Sequence, residues 1–278
     1  MPSSYGRIVK WDKFEERDKR NMKSEGKYNK NSRSNLNRSS ERSDKCDFTP
    51  KSLKLPKGWG TYKSPIGSVI EGTQFLPFKT PLHNSYFALH GTRLPPEATF
   101  RPQDLIEHCK KKNINLGLII DLTSTNRYYD KYEFIKKKIR HYKLPCSGHE
   151  IHQNEPKALE FIQIVHEFLS DRKNREKIIG VHCTHGLNRT GYMICRYMTD
   201  VLGISARNAT EAFEKARGYP MVRIQYKEHL YLLEEEKNNQ KNCDHKVETI
   251  EDDSDNGECS KKLGSLTLSK DEEQLNEY

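Results

Sequence analysis

No part of the 278-residue chain runs apolar for the ~18 or more positions that a membrane helix requires, which predicts a protein that does not cross a bilayer. The opening residues, MPSSYGRIVKWDKF, carry no apolar core of the kind a secretory signal needs. Cysteine is sparse. The seven stand at 46, 109, 146, 183, 195, 243 and 259, and their spacing makes no disulfide or zinc framework. An odd count without a secretion signal predicts a reducing, intracellular compartment. Apolar residues make up 33% of the chain and charged ones 31%, so much of it lies outside any core.

The net charge of +9 is unevenly placed. Residues 1–50 hold 13 Lys and Arg against 8 Asp and Glu, residues 51–233 hold 29 against 17, and residues 234–278 hold 6 against 14. The middle is thus net +12 and has the field that attracts a polyanion; a plain solvated basic surface is the competing reading. Polar stretches such as KYNKNSRSNLNRSSERSDK (27–45) and IEDDSDNGE cannot bury enough surface to order themselves. The chain therefore reads as a disordered basic arm over 1–50, one domain over 51–235 and a disordered acidic tail over 236–278.

Within the middle, helical and strand signals alternate. LGLIIDL (116–122) and KIIGVHC (177–183) are short continuous apolar runs, as buried strands should be. GTQFLPFKTPL (72–82) and PLHNSYFALHG (81–91) contain shorter apolar stretches that are compatible with strands. RPQDLIEHCKKKN (101–113) and EPKALEFIQIVHEFLSD (155–171) each have proline near the start and apolar residues at helical spacing. SARNATEAFEKARG (205–218) opens on a capping serine and closes on glycine, and RIQYKEHLYLL (223–233) continues as a helix. The pattern predicts an α/β domain whose central, mostly parallel sheet is flanked by helices.

Between the second strand and the helix after it lies VHCTHGLNRTG (181–191). A strand-to-helix loop is where α/β proteins hold phosphate, because unpaired N–H groups point out of the helix start. Cys183 sits at the strand end, where N–H donors and a helix N-terminus favour its thiolate. Arg189 follows with five residues between, a spacing that lets a forked guanidinium return to two phosphoryl oxygens. Gly186 and Gly191 permit the tight curl and close approach. Asn188 tolerates unusual backbone angles and can tie the loop by side-chain bonds. Thr190 can hydrogen-bond the sulfur, and His182 reads as orienting the cysteine rather than acting as a base. A zinc site from His182, Cys183 and His185 is a poor alternative, since a loop built to cradle an anion makes a poor cation cage.

The run His-Cys-x5-Arg-Thr-Gly resembles the signature of the cysteine-dependent phosphatase superfamily. HCTHGLNRTG, together with LPKGWGTYKSPIGSVIEGTQFLPFKTPL, LGLIIDLTSTNRYYD and ARGYPMVRIQYKEHL, resembles a narrower branch across about 54–233. That branch is the RNA 5′-triphosphatases of metazoan mRNA capping enzymes and their single-domain relatives. The resemblance implies a dual-specificity phosphatase fold and metal-independent hydrolysis without a cofactor. It implies a nucleophile at Cys183 and a phosphate clamp at Arg189, with His182, Thr184, His185, Gly186, Leu187, Asn188 and Thr190 building the cradle. It also places Arg127 and Arg223 near the phosphate chain, where a plain surface arginine is the alternative for each. No Lys-x-Asp-Gly motif for nucleotidyl transfer appears, so a full capping enzyme is not expected.

A tyrosine phosphatase needs an acid, usually an aspartate some thirty residues before the cysteine, because its leaving phenolate has a pKa of about 10. PCSGHEIHQNEP (145–156) contains no aspartate; His149, Glu150, His152 and Glu155 are weak substitutes. Asp121 reads as a brace for a neighbouring loop rather than as the acid. A phosphoanhydride requires little protonation, since phosphate has a second pKa of about 6. The expected substrate is RNA with a 5′-triphosphate or 5′-diphosphate end. A dual-specificity protein phosphatase and a non-catalytic phosphate-binding scaffold are the other readings. Ribonucleoprotein or RNA-processing partners, a monomeric state, no membrane association and a nuclear location, shared with the cytoplasm, complete the expectations.

Overall fold

A computed structural model describes residues 48–248 except 91–93, 95–97 and 148–150, with the side chains of 241–248 also outside the description. Four short strands pair side by side: β1 (Phe75–Lys79), β2 (Leu116–Asp121), β3 (Arg140–Lys143) and β4 (Ile178–Cys183). Their order is β1-β4-β2-β3 and every neighbouring pair is parallel. The expected α/β architecture is the one found. β3, with the sequence RHYK, gives little apolar signal because it lies at the sheet edge and buries only Tyr142.

Seven α-helices are present among the described residues: α1 (Asn84–His90), α2 (Pro102–Lys111), α3 (Tyr132–Ile135), α4 (Glu155–Ser170), α5 (Asn188–Asp200), α6 (Ala206–Arg217) and α7 (Ile224–Glu248). Their starts follow from capping chemistry. Asp104 accepts from the Arg101 N–H at 2.7 Å and opens α2. Asn154 accepts from Lys157 N–H at α4, and Ser205 accepts from Asn208 N–H at α6, which closes on the left-handed Gly218.

Two elements differ from the sequence reading. Residues 84–90, in a stretch compatible with a strand, form α1; His83 Nδ1 accepts from the Ser85 N–H and caps the turn, a local bond that hydrophobicity does not register. The last helix, read as ending at 233, continues to Glu248, past the domain edge placed at 235 and into the segment read as a disordered acidic tail. Residues 234–248, EEEKNNQKNCDHKVE, are rich in good helix formers, so helix there needs no apolar face. The first compact unit ends at Glu234. The expectations for 1–47 and 249–278 lie outside the described residues.

Strand alternation divides the core into two layers. Leu118 and Ile120 of β2 and Ile179 and Val181 of β4 pack with α4, α5 and α6. Leu116 and Ile119 of β2 and Ile178 of β4 face Phe78, Tyr86, Leu105 and Phe134 on the other side. The same period of two continues to the end of β4, where it places Cys183 in the first layer and turns His182 toward Phe78, their rings 5.0 Å apart.

Candidate active site

β4 ends at Cys183 and α5 begins at Asn188, so the loop between them lies against the free N–H groups of a thirteen-residue helix. The loop curls at Gly186, with φ +66°, and a Cβ there would run into the Phe78 carbonyl of β1. Gly191, one turn into α5, has no room for a Cβ beside the Phe213 ring of α6. Asn188 Oδ1 accepts the backbone N–H of Arg223 at 2.9 Å and ties the loop to the start of α7.

The Cys183 thiol is 3% exposed. Burial alone would raise its pKa. The Arg189 charge, the Thr190 hydroxyl and the N–H groups of Thr190 and Leu187 outweigh burial and bring it below the ordinary thiol value. The Thr190 hydroxyl is buried without a hydrogen bond of regular geometry, so its effect on the sulfur is one of proximity. At the other described cysteines burial prevails: it pushes Cys109 to about 11, and Cys146 and Cys195 to about 12 in spite of the Arg189 charge on the one and the Thr210 hydroxyl on the other. Arg189 is held on three sides. Nη1 donates to the carbonyls of Leu122 (3.1 Å) and Cys146 (3.0 Å), and Nη2 donates to Thr184 Oγ1 (3.0 Å).

Behind the cysteine lies a buried polar network. His182 Nδ1 is 3.4 Å from the Cys183 carbonyl, which can only accept, so Nδ1 carries hydrogen. Burial lowers the His182 pKa to about 4 and that of His141 to about 3, so both rings are neutral near pH 7. Nε2 of His182 is then an acceptor for the Tyr129 hydroxyl at 2.8 Å, and Nε2–H of His141 donates to the same oxygen at 2.8 Å. Tyr129 remains protonated, since burial and Asp121 raise its pKa well above the usual value. Asp121 accepts the N–H and hydroxyl of Thr123 and the ammonium of Lys143 (2.8 Å). It braces the 123–125 loop, and a neutral His182 orients the Cys183 backbone. His182 and Cys183 face opposite layers and His185 turns to Lys57, so the three do not converge on a metal.

A segment from Ser52 to Ser64 straps across this region. Arg127 Nη1 donates to the carbonyls of Ser52 (3.3 Å) and Lys54 (2.7 Å), His185 Nε2 bonds the Lys57 carbonyl (2.9 Å), and the Tyr62 ring packs on His185 and Tyr219. Lys79, fully buried beside Cys183 in the sheet register, donates to the carbonyls of Trp59 (3.4 Å) and Tyr62 (3.1 Å) and lies 3.7 Å over the Trp59 ring. Arg127 is thus anchored to the strap. Arg223 reaches the loop through its backbone, and its guanidinium lies over Tyr226. Of the weak acid substitutes, Glu155 is taken by Arg196 at 2.6 and 2.7 Å, and the His152 ring packs on Tyr226 and His229; His149 and Glu150 lie outside the described residues. Sequence reading missed Tyr129, His141, Lys143, Lys79 and Arg217. Lys79 alone gave a signal, a lysine at the end of the apolar run FLPFK.

A low-pKa thiol and an arginine, held by one strand-loop-helix turn at the C-terminal end of a central strand of a parallel sheet, define a cysteine-dependent phosphatase. Residues 101–236 match the family described as "Dual specificity phosphatase, catalytic domain". The chain is 48% identical over 184 residues to an RNA/RNP complex-1-interacting phosphatase homolog of Caenorhabditis elegans, covering 66% of this chain and 78% of that one. It is 43% identical over 176 residues to the human RNA/RNP complex-1-interacting phosphatase, covering 63% of this chain and 51% of that one. Against an mRNA-capping enzyme of Danio rerio it is 35% identical over 165 residues, covering 59% of this chain and 26% of that one. The chain belongs to the dual-specificity phosphatase family, in the group of the RNA/RNP complex-1-interacting phosphatases. It spans about half the length of the human relative.

Proposed function

We propose that the chain removes the γ and then the β phosphate from the 5′ end of RNA and leaves a 5′-monophosphate. In each round the Cys183 sulfur attacks the terminal phosphorus, and the bond to the bridging oxygen breaks with its electron pair on the departing RNA phosphate. Water then attacks the phosphocysteine, releases orthophosphate and returns the thiolate. The three bonds that Arg189 makes within the protein leave two of its five N–H groups for the equatorial oxygens. Leu187 and Thr190 supply N–H groups to the anion.

The observation that carries this reading is the occupation of Glu155 by Arg196 in a segment without aspartate. Asp121 is likewise engaged with Lys143 and Thr123. A diphosphate or monophosphate end leaves without a proton, whereas a phenolate or a ribose alkoxide needs one. Two features support RNA as the carrier. Residues 48–70 hold Lys51, Lys54, Lys57 and Lys63, all exposed, and no acidic residue. Relatives named for RNA/RNP complexes and mRNA capping are 48, 43 and 35% identical to the chain over 184, 176 and 165 residues. The same reading assigns the protein to the nucleus as a monomer.

The test is incubation of the full chain, in chelator, with γ- and β-labelled triphosphate RNA and with a phosphotyrosine peptide. The expected products are orthophosphate in two steps and 5′-monophosphate RNA, with much slower release from the peptide. Pyrophosphate, 5′-hydroxyl RNA, a strict magnesium requirement or faster peptide hydrolysis would each overturn the reading.

A further inference from the structure

Arg217 closes α6, one residue before the glycine cap, where a basic side chain ordinarily faces water and the helix dipole. It is instead 1% exposed. Each guanidinium nitrogen donates to a main-chain carbonyl: Nε to Gly186 (3.1 Å), Nη2 to His185 (3.1 Å) and Nη1 to Ser64 (3.0 Å). No carboxylate pairs with it among the described residues. Burial lowers its pKa to about 10, the mark of a cation whose charge the fold does not neutralise. Such a group is expensive for stability alone, and a neutral donor could serve one carbonyl as well.

Two of the three carbonyls belong to the phosphate loop, and this gives Arg217 a use. Among the described residues there are no cis peptide bonds. In a trans peptide unit the C=O and the following N–H point in opposite directions. Drawing the His185 and Gly186 carbonyls outward therefore turns the N–H groups of Gly186 and Leu187 inward. The Leu187 N–H does bear on the Cys183 sulfur, and the Arg217 charge acts across the loop on the same sulfur. We propose that Arg217 is a positioning residue: it fixes the 185–186 and 186–187 peptide planes so that their N–H groups face the phosphoryl anion. It touches no substrate. The role holds for any phosphoryl group the loop receives, so it stands or falls independently of the RNA reading.

Arg217→Lys keeps the charge and loses the fork, and Arg217→Met loses both. The probes are orthovanadate binding by calorimetry and the pH midpoint of Cys183 alkylation by iodoacetamide. Arg217→Lys should bind vanadate at least about tenfold more weakly, and its alkylation midpoint should rise because the Leu187 N–H no longer faces the sulfur. Arg217→Met should show the same loss and a midpoint raised further by the missing charge. A folded Arg217→Lys with wild-type vanadate affinity, or with an unmoved midpoint, overturns the proposal. Should neither variant fold, the wild type decides: the amide resonances of Gly186 and Leu187 must move on vanadate addition, and unmoved signals overturn the assignment.

Discussion

Cys183 is as buried as its three described neighbours in kind, and what separates it from them is what points at the sulfur. Arg189, Thr190 and two backbone N–H groups face Cys183, whereas Cys109 has burial alone. Iodoacetamide at pH 7 should therefore label Cys183 and leave Cys109, Cys146 and Cys195 unmodified, read by peptide mass spectrometry. Labelling of Cys146 or Cys195 at a comparable rate would refute the electrostatic account. Arg189 has a different vulnerability. Lysine in its place keeps the charge but cannot serve Leu122, Cys146 and Thr184 while also forking onto oxygen. Arg189→Lys should lower kcat/KM by about 100-fold or more, with the fold intact by circular dichroism. A loss of under about threefold would remove the clamp from the mechanism.

At the scale of elements, β1 carries an unusual load, because Lys79 is buried against the carbonyls of Trp59 and Tyr62 without a carboxylate. Burial, with the Arg217 charge adding to it, lowers its pKa from 10.5 to about 8. Between those two values the unfolded chain holds the proton and the folded chain does not, so stability rises with pH across the window. Below about 8 both states are protonated and the whole penalty is present. Wild type minus Lys79→Met, from urea unfolding, should thus grow by up to about 3 kcal/mol between pH 7.5 and 10. A difference that stays flat or falls would show that Lys79 is not the titrating group. Lys79 also marks the limit of what sequence shows. The strands LGLIIDL and KIIGVHC, the capped helices and the Cys183–Arg189 loop were legible because each is local: a period, a cap, a spacing. The strand-like stretch 81–91 misled because its capping bond, from Ser85 N–H to His83, leaves no trace in hydrophobicity. Arg217 gave no sign in the sequence because its carbonyl partners lie 31, 32 and 153 residues away. The set of Tyr129, His141 and Lys143 was hidden for the same reason: it brings β3 and the loop after β2 against Asp121 of β2 and His182 of β4.

For the molecule as a whole, the proposed RNA substrate makes the charge of the middle region the thing to test. With 29 basic against 17 acidic residues over 51–233, binding of triphosphate RNA should weaken steadily as salt rises, through counterion release. Replacing Lys51, Lys54, Lys57 and Lys63 together by Ser should flatten that dependence and raise KM for RNA several-fold, with little change in kcat, since the contact of Lys57 with His185 is through its backbone carbonyl, which serine keeps. An unchanged salt slope would assign the strap's charge to another purpose.

The bonds that hold the cradle also set when it comes into being. Ser64 meets Arg217 across 153 residues, Lys57 meets His185 across 128, and Lys54 meets Arg127 across 73. Contacts so distant in sequence slow folding, because the chain between them must close first. A chain still emerging from the ribosome, before Arg217 can meet Ser64, should therefore lack the braced cradle. Phosphate turnover is expected only once these contacts have closed.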